Sequence, residues 1–273
     1  MINVARIIIA FLMLLDHAFA IDGIETNRKE HNSTDVIFHK VKELALKGDI
    51  NSQIAIGNAY YSGNAEVEKD RKESFKWFLK AANQGSSIAG NRLGHMLLPG
   101  DGVQQNKDKS VEWFKKSAIL GFADSEYMMG QMYFSGITVD VDFDKAAKWF
   151  DKAAKQHYPK AQSLLGSMYS NGTGVAKNYK KAAVLYQQSA EKGDENAQYN
   201  LGLAYWYGEG VPKSYIQAYK WLNISSVTMS EDYKMVEYVQ VSIDKLEKIM
   251  SPQQIEKAQQ LSSDWIRQHN TYQ

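Results

Sequence analysis

A glycine returns along this chain at an almost constant interval. It stands at Gly57, Gly94, Gly130, Gly166 and Gly202, with spacings of 37, 36, 36 and 36 residues. A fixed period of that size marks stacked helical repeats, in which each unit buries its apolar surface against its neighbours. Other columns keep the same step. Three residues after each glycine stand Tyr60, Leu97, Tyr133, Tyr169 and Tyr205, and three further on Gly63, Gly100, Gly136, Gly172 and Gly208. Later in each copy come Trp77, Trp113, Trp149, Leu185 and Trp221. Small residues flank that column: Ser74, Ser110, Ala146, Ala182 and Ala218 before it, Ala81, Ser117, Ala153, Ser189 and Ser225 after it.

These columns predict pairs of closely packed helices. In "AQYNLGLAYWYG" the residues Ala197, Leu201, Gly202 and Tyr205 fall on one helical face. Glycine inside a helix costs about 1 kcal/mol relative to alanine. Keeping it in every copy therefore needs a steric reason, and close approach of a second helix supplies one. That helix, for example "KAAKWFDKAAK", carries Ala146, Trp149 and Ala153 on one stripe, and its tryptophan is expected to fill the gap. The connecting "GDGV", "GTGV" and "GEGV" read as turns, the first Gly ending a helix in the left-handed conformation and the second easing the turn. A phosphate-binding loop would need Lys-Ser/Thr after its last Gly and a strand before it, and no copy has them.

The pattern A-x-x-x-L-G-x-x-Y-x-x-G-x-G-V … K-A-x-x-W-x-x-x-A-A-x-x-G resembles the Sel1-like repeat, a relative of the tetratricopeptide repeat with a longer inner loop. Residues 161–190 and 197–221 match closely, and the copies cover about two-thirds of the chain. The resemblance implies an all-α fold, a right-handed α-solenoid of about five helix-turn-helix repeats with capping helices at both ends. It also implies a non-catalytic interaction scaffold or adaptor for a protein or peptide partner. The departures are an extra loop residue in repeat one, Leu97 and Pro99 in repeat two, "GITV" without its second Gly in repeat three, and Leu185 for Trp in repeat four.

The expected layout is an orphan second helix at 35–48, repeats near 52–88, 89–124, 125–160, 161–196 and 197–229, and capping helices over 230–273. Ser230 is expected to cap the first of the last two helices, and Ser251, Pro252 and Gln254 to open the second as a capping box. Residues 1–20 have the order of a secretory signal peptide: Arg6, the apolar run Ile7 to Leu15, then Ala18-Phe19-Ala20. The apolar run is shorter than the ~20 residues a span needs. The mature chain is expected to begin near Ile21, with a flexible segment over 21–34, and to be periplasmic or secreted with no transmembrane helix. The chain has no cysteine, hence no disulfides and no lipidated thiol. A net charge of +1 speaks against a nucleic-acid partner.

Motifs for chemistry are few. The six histidines are scattered, with no metal-ligand spacing, and His157 takes the place of a helix-ending Gly, where a capping role is expected. Ser189 and Ser242 open S-x-x-K triplets without the companion motifs of penicillin-binding enzymes. Asp140, Asp142 and Asp144 open a helix and lack the Gly and final Glu of a calcium loop. No catalytic residue, metal site or cofactor is assigned. Some disulfide-rich Sel1-like proteins act on β-lactams, which makes a hydrolase the alternative, although their cysteine framework is missing here. By analogy with tetratricopeptide repeats, one face of the first helices should line a concave groove. The partner-binding candidates there are Asn58, Tyr61, His95, Tyr127, Gln131, Phe134, Ser167, Tyr199 and Trp206. The opposing reading for Tyr127 and Tyr199 is packing between adjacent first helices.

Overall fold

A computed structural model of the chain describes residues 28–64, 67–229 and 233–270. The expected leader, residues 1–20, and Ser230 lie outside the described residues. Thirteen helices and no strand are found among the described residues. The first, α1 (Arg28–Leu46), begins at Arg28 rather than Asp35, so the expected flexible segment is helical from residue 28. The helix pairs follow: α2 (Ile50–Ser62) with α3 (Arg71–Asn83), α4 (Ser87–Leu97) with α5 (Lys107–Ile119), α6 (Ala123–Ser135) with α7 (Phe143–Lys155), α8 (Pro159–Asn171) with α9 (Tyr179–Ala190), and α10 (Glu195–Tyr207) with α11 (Tyr215–Thr228). The chain closes with α12 (Tyr233–Glu247) and α13 (Pro252–Asn270). The fold is an all-α solenoid of paired helices. Two compact units part between Glu126 and Tyr127, within α6.

Local chemistry sets the helix starts. Asp49, Asp70, Ser86, Asn106, Asp142, Asn178, Asp194 and Ser214 each accept a bond from the backbone N–H three residues on. Each such cap contributes about 1 kcal/mol by satisfying a helix-end donor. α13 opens as expected: Ser251 N donates to Gln254 Oε1 at 2.9 Å, and Gln254 N to Ser251 Oγ at 3.3 Å. Asp142 also pairs with Lys145 Nζ at 2.9 Å, which holds its carboxyl below the usual range.

The seam of each pair shows why the glycines recur, and it corrects the tryptophan assignment. A Cβ placed on Gly57 would lie 2.7 Å from the Phe78 ring; on Gly94, 2.8 Å from Phe114; on Gly130, 2.5 Å from Phe150; on Gly166, 2.8 Å from Tyr186; on Gly202, 2.8 Å from Leu222. The side chain that fills the gap is therefore the neighbour of the tryptophan, one position later. Trp113 and Trp149 are only partly buried. The tryptophan column lies elsewhere: Trp77 packs on the Phe38–Val41–Ala45 cluster of α1, and Trp221 on Ala182, Tyr186 and Ala190 of α9. Each indole carries a lysine ammonium over its face, from 3.9 Å at Trp77 to 4.4 Å at Trp221.

Two further ties join successive repeats. Buried Gln53, Gln162 and Gln198 donate to the last-turn carbonyls of the preceding second helix, Ala45, Ala154 and Ala190. The second loop glycine is needed for close approach and not for the turn alone: a Cβ at Gly210 would collide with the Tyr179 carbonyl, and one at Gly174 with that of Phe143. At the C-terminal end, α12 and α13 both lean on α11. Tyr219 Oη donates to Glu247 at 2.9 Å, Asn223 to Ser262 at 2.8 Å, and Trp265 meets Trp221 edge-on.

Candidate functional site

The predicted groove residues separate into two groups. In the unit ending at Glu126, most are committed to internal bonding. Tyr61 lies under the Arg71 guanidinium, 3.4 Å from the ring centroid, and Arg71 also pairs with Asp101 at 3.1 Å. His95 Nε2 sits 2.9 Å from Asp124 Oδ2, with its ring edge-on to Phe114. Asn91 is buried and donates to Asp124 and Ser125, and Ser125 donates in turn to Ser117. This chain of bonds fastens α4 to the start of α6. Asn58 stands half-buried on the same helix face as Tyr61.

In the unit from Tyr127 onward, the candidates are placed differently. Tyr127 sits between Phe150 and Tyr158, at ring-centroid distances of 5.9 and 5.2 Å, and accepts a hydrogen bond from Gln131. Phe134 meets Phe143 edge-on at 5.4 Å. Tyr199 and Trp206 pack on the cluster of Leu222, Val239 and Ile243, so α12 covers them. Burial raises the Tyr199 phenol despite a hydrogen bond with Ser242. Tyr199 thus packs on α11 and α12, and not between adjacent first helices.

Where the first-helix face remains open, it forms a cleft of about 720 Å³. Tyr127, Gln131 and Ser167 line it, with Lys160, Ser163 and Asn200. Asp194 and Asn196 at the start of α10 close one side. A second hollow of about 270 Å³ shares Ser167 and Asn200 and continues toward Leu203, Tyr207 and Glu209. Tyr186 reaches it from the seam. Burial pushes its phenol up to about 12, against hydrogen bonds with Ser167 and Ser170 that act the other way. Sequence reasoning missed Lys160, Asn200 and Tyr186. The signal for Tyr186 was present, a hydroxyl in a column that is otherwise Phe78, Phe114, Phe150 and Leu222.

The five helix pairs coincide with five matches to the Sel1 repeat model, at residues 50–86, 87–122, 123–158, 159–194 and 196–226. The chain belongs to the Sel1 repeat family. Its array is similar to the crystal structure of a Sel1 repeat protein from Oxalobacter formigenes, with 26% identity and a TM-score of 0.71 over 90% of this chain and 66% of that one. It is also similar to a protective antigen of uropathogenic Escherichia coli with an SLR fold, with 29% identity and a TM-score of 0.59 over 85% of this chain and 56% of that one. A curated relative, the ERAD-associated E3 ubiquitin-protein ligase component HRD3A of Arabidopsis thaliana, is 32% identical over 84 residues, 29% of this chain and 12% of the relative. This Sel1 chain thus spans less than two thirds of the length of each.

Within the Sel1 array, the residues that could have carried other chemistry have structural partners. Ser189 is fully buried and its Oγ donates to the Pro159 carbonyl at 2.7 Å, while Lys192 Nζ donates to the His157 carbonyl. Ser242 donates to the Tyr238 carbonyl of its own helix. His157 adopts φ +60° and ends α7, which is the capping role expected of it. Among the described residues no three His, Cys, Asp or Glu gather as metal ligands, and no helix is long and apolar enough to cross a membrane.

Proposed function

We propose that this chain is an adaptor of the bacterial envelope or exterior that holds an extended peptide segment of a protein partner. Sel1 repeat proteins are in general non-catalytic interaction scaffolds, and the family membership supports that coarse role. The finer reading rests on the cleft of residues 127–200. Its amides, hydroxyls and Lys160 offer donors and acceptors to a peptide backbone, and Tyr127 and Leu164 offer apolar surface to its side chains. The leader-like residues 1–20 support an exported location.

The test is photo-crosslinking from position 200 in the native host, with the same label at exposed Lys148 as control. A discrete adduct formed from 200 and absent from 148 is the expected result. It should vanish when Ser167→Arg and Asn196→Arg are added to the chain labelled at 200, at unchanged melting temperature. An adduct that survives the double variant would remove the cleft as the site.

A further inference from the structure

Tryptophans of this column pack α3 on α1, α5 on α3 and α11 on α9, and repeat four breaks that column. Leu185 stands there, packed on the Ala146–Phe150–Ala154 cluster, and it is smaller than an indole. Beside it lies an open depression of about 530 Å³ on the second-helix face of α7, α8 and α9. Its floor includes Ala154, Leu165, Tyr169 and Leu185, and Val184 stands at the rim 56% exposed.

A second departure from the repeat meets the same depression. The residue that ends the second helix is Gly48, Gly85, Gly121 and Gly193 elsewhere, each at positive φ; before repeat four it is His157, at φ +60°. A side chain in the left-handed region is strained, because its Cβ crowds the following carbonyl. His157 borders the depression. A backbone cost kept beside a hollow is a pointer toward a site. The charge around it is also one-sided: Lys155 and Asp151 pair with each other at 2.6 Å, which leaves Lys180 and Lys181 facing it. Lys181 Nζ lies 5.1 Å from the Tyr169 ring centroid, as the other lysines lie over the tryptophans.

We infer that this depression is a socket for one bulky aromatic side chain of a partner polypeptide, flanked in that partner by carboxylates. The ring takes the place of the tryptophan that repeat four lacks, and the lysines pair with the acidic neighbours. The hollow is open on one side, and small-molecule sites bury 70–90% or more of their ligand. A side chain presented by a polypeptide needs only one face covered. The socket lies between the second helices α7 and α9 over one side of α8, and does not rest on the first-helix cleft.

The test uses the full chain and three blocked peptides, acetyl-EDWED-amide, acetyl-EDAED-amide and acetyl-KKWKK-amide, titrated by calorimetry and by amide chemical shifts. The first should bind with a Kd below about 1 mM, and the other two at least about tenfold more weakly. Leu185→Trp restores the repeat and should fold with an equal or higher melting temperature while losing binding about tenfold or more. Val184→Glu, at an exposed position, should repel the same peptide. Ser167→Arg with Asn200→Arg should leave binding unchanged, which separates this site from the cleft. Equal binding of the alanine peptide, or full binding by both Leu185→Trp and Val184→Glu, would overturn the socket. Indole-3-acetate binding as tightly as the peptide would overturn the polypeptide occupant.

Discussion

The helix seams on the two sides of Glu126 share one geometry and differ in chemistry. In the first unit, Ser74 and Ser110 place a hydroxyl against the opposing helix and donate to the carbonyls of Gly57 and Gly94, at 2.7 and 2.8 Å. In the second unit the same column is Ala146, Ala182 and Ala218. There the backbones meet without a polar bridge: a Cβ on Gly202 would lie 3.2 Å from the Ala218 carbonyl, and one on Gly166 3.4 Å from that of Ala182. The glycine and the side chain that fills its gap are common to both units, so the steric fit sets the spacing. The hydroxyl is an addition that the spacing permits, because a buried donor is tolerated only with an acceptor at hand.

The largest test of that ordering removes the filling ring. Phe150→Ala and Phe114→Ala should each cost about 3–5 kcal/mol in urea unfolding, whereas Trp149→Ala, at a partly exposed position, should cost less than half as much. Equal losses at 149 and 150 would return the tryptophan to the seam. Next come Gly94→Val and Gly166→Val, which force a side chain into Phe114 or Tyr186 and should cost about 1–3 kcal/mol or more in either unit. A unit that tolerates its valine would show a seam not set by sterics. The chemical difference itself is smaller. Ser74→Ala should cost about 1 kcal/mol, the net value of one hydrogen bond, and Ala182→Ser should be close to neutral if its hydroxyl reaches the Gly166 carbonyl.

The smallest expected effect belongs to Tyr186. Its phenol is raised from 10.0 to about 12 by burial, so the folded state holds the proton more tightly than the unfolded chain. Its contribution is complete below pH 10 and is lost as pH rises through about 12. Tyr186→Phe should flatten that part of the alkaline decline. It should also remove the last tyrosinate transition seen by ultraviolet absorbance. An unchanged profile would mean that the hydroxyl is more open to water through the cleft than its burial implies.

The period, the helix pairs, the Ser251–Gln254 cap and the helix-ending role of His157 were legible because each depends on local backbone chemistry. The identity of the gap-filling ring was not. Trp77-Phe78, Trp113-Phe114 and Trp149-Phe150 are adjacent pairs of aromatics, so both columns repeat with the same period, and only depth in the folded pair tells them apart. The glutamine tie was readable at the same step in Gln53, Gln162 and Gln198, but a polar residue on a helix gives no sign of burial until its acceptor is known. Groove residues were the least legible. Whether Tyr199 and Trp206 stay open depends on α12, far along the chain, and whether His95 is available depends on Asp124.

The close approach of Gly102 to Arg71, Gly174 to Phe143 and Gly210 to Tyr179 decides where this chain can change length. A loop pressed onto the start of the previous helix has no slack, so one inserted residue there would push two modules apart. Repeat one follows the lone helix α1, and its loop closes on itself instead, with Asn64 N donating to the Val67 carbonyl and Val67 N to Asn64 Oδ1. That loop is also the one that carries the added residue. Insertions and fusion partners belong at residues 64–68, and elsewhere the array should grow or shrink by whole modules of 36 residues.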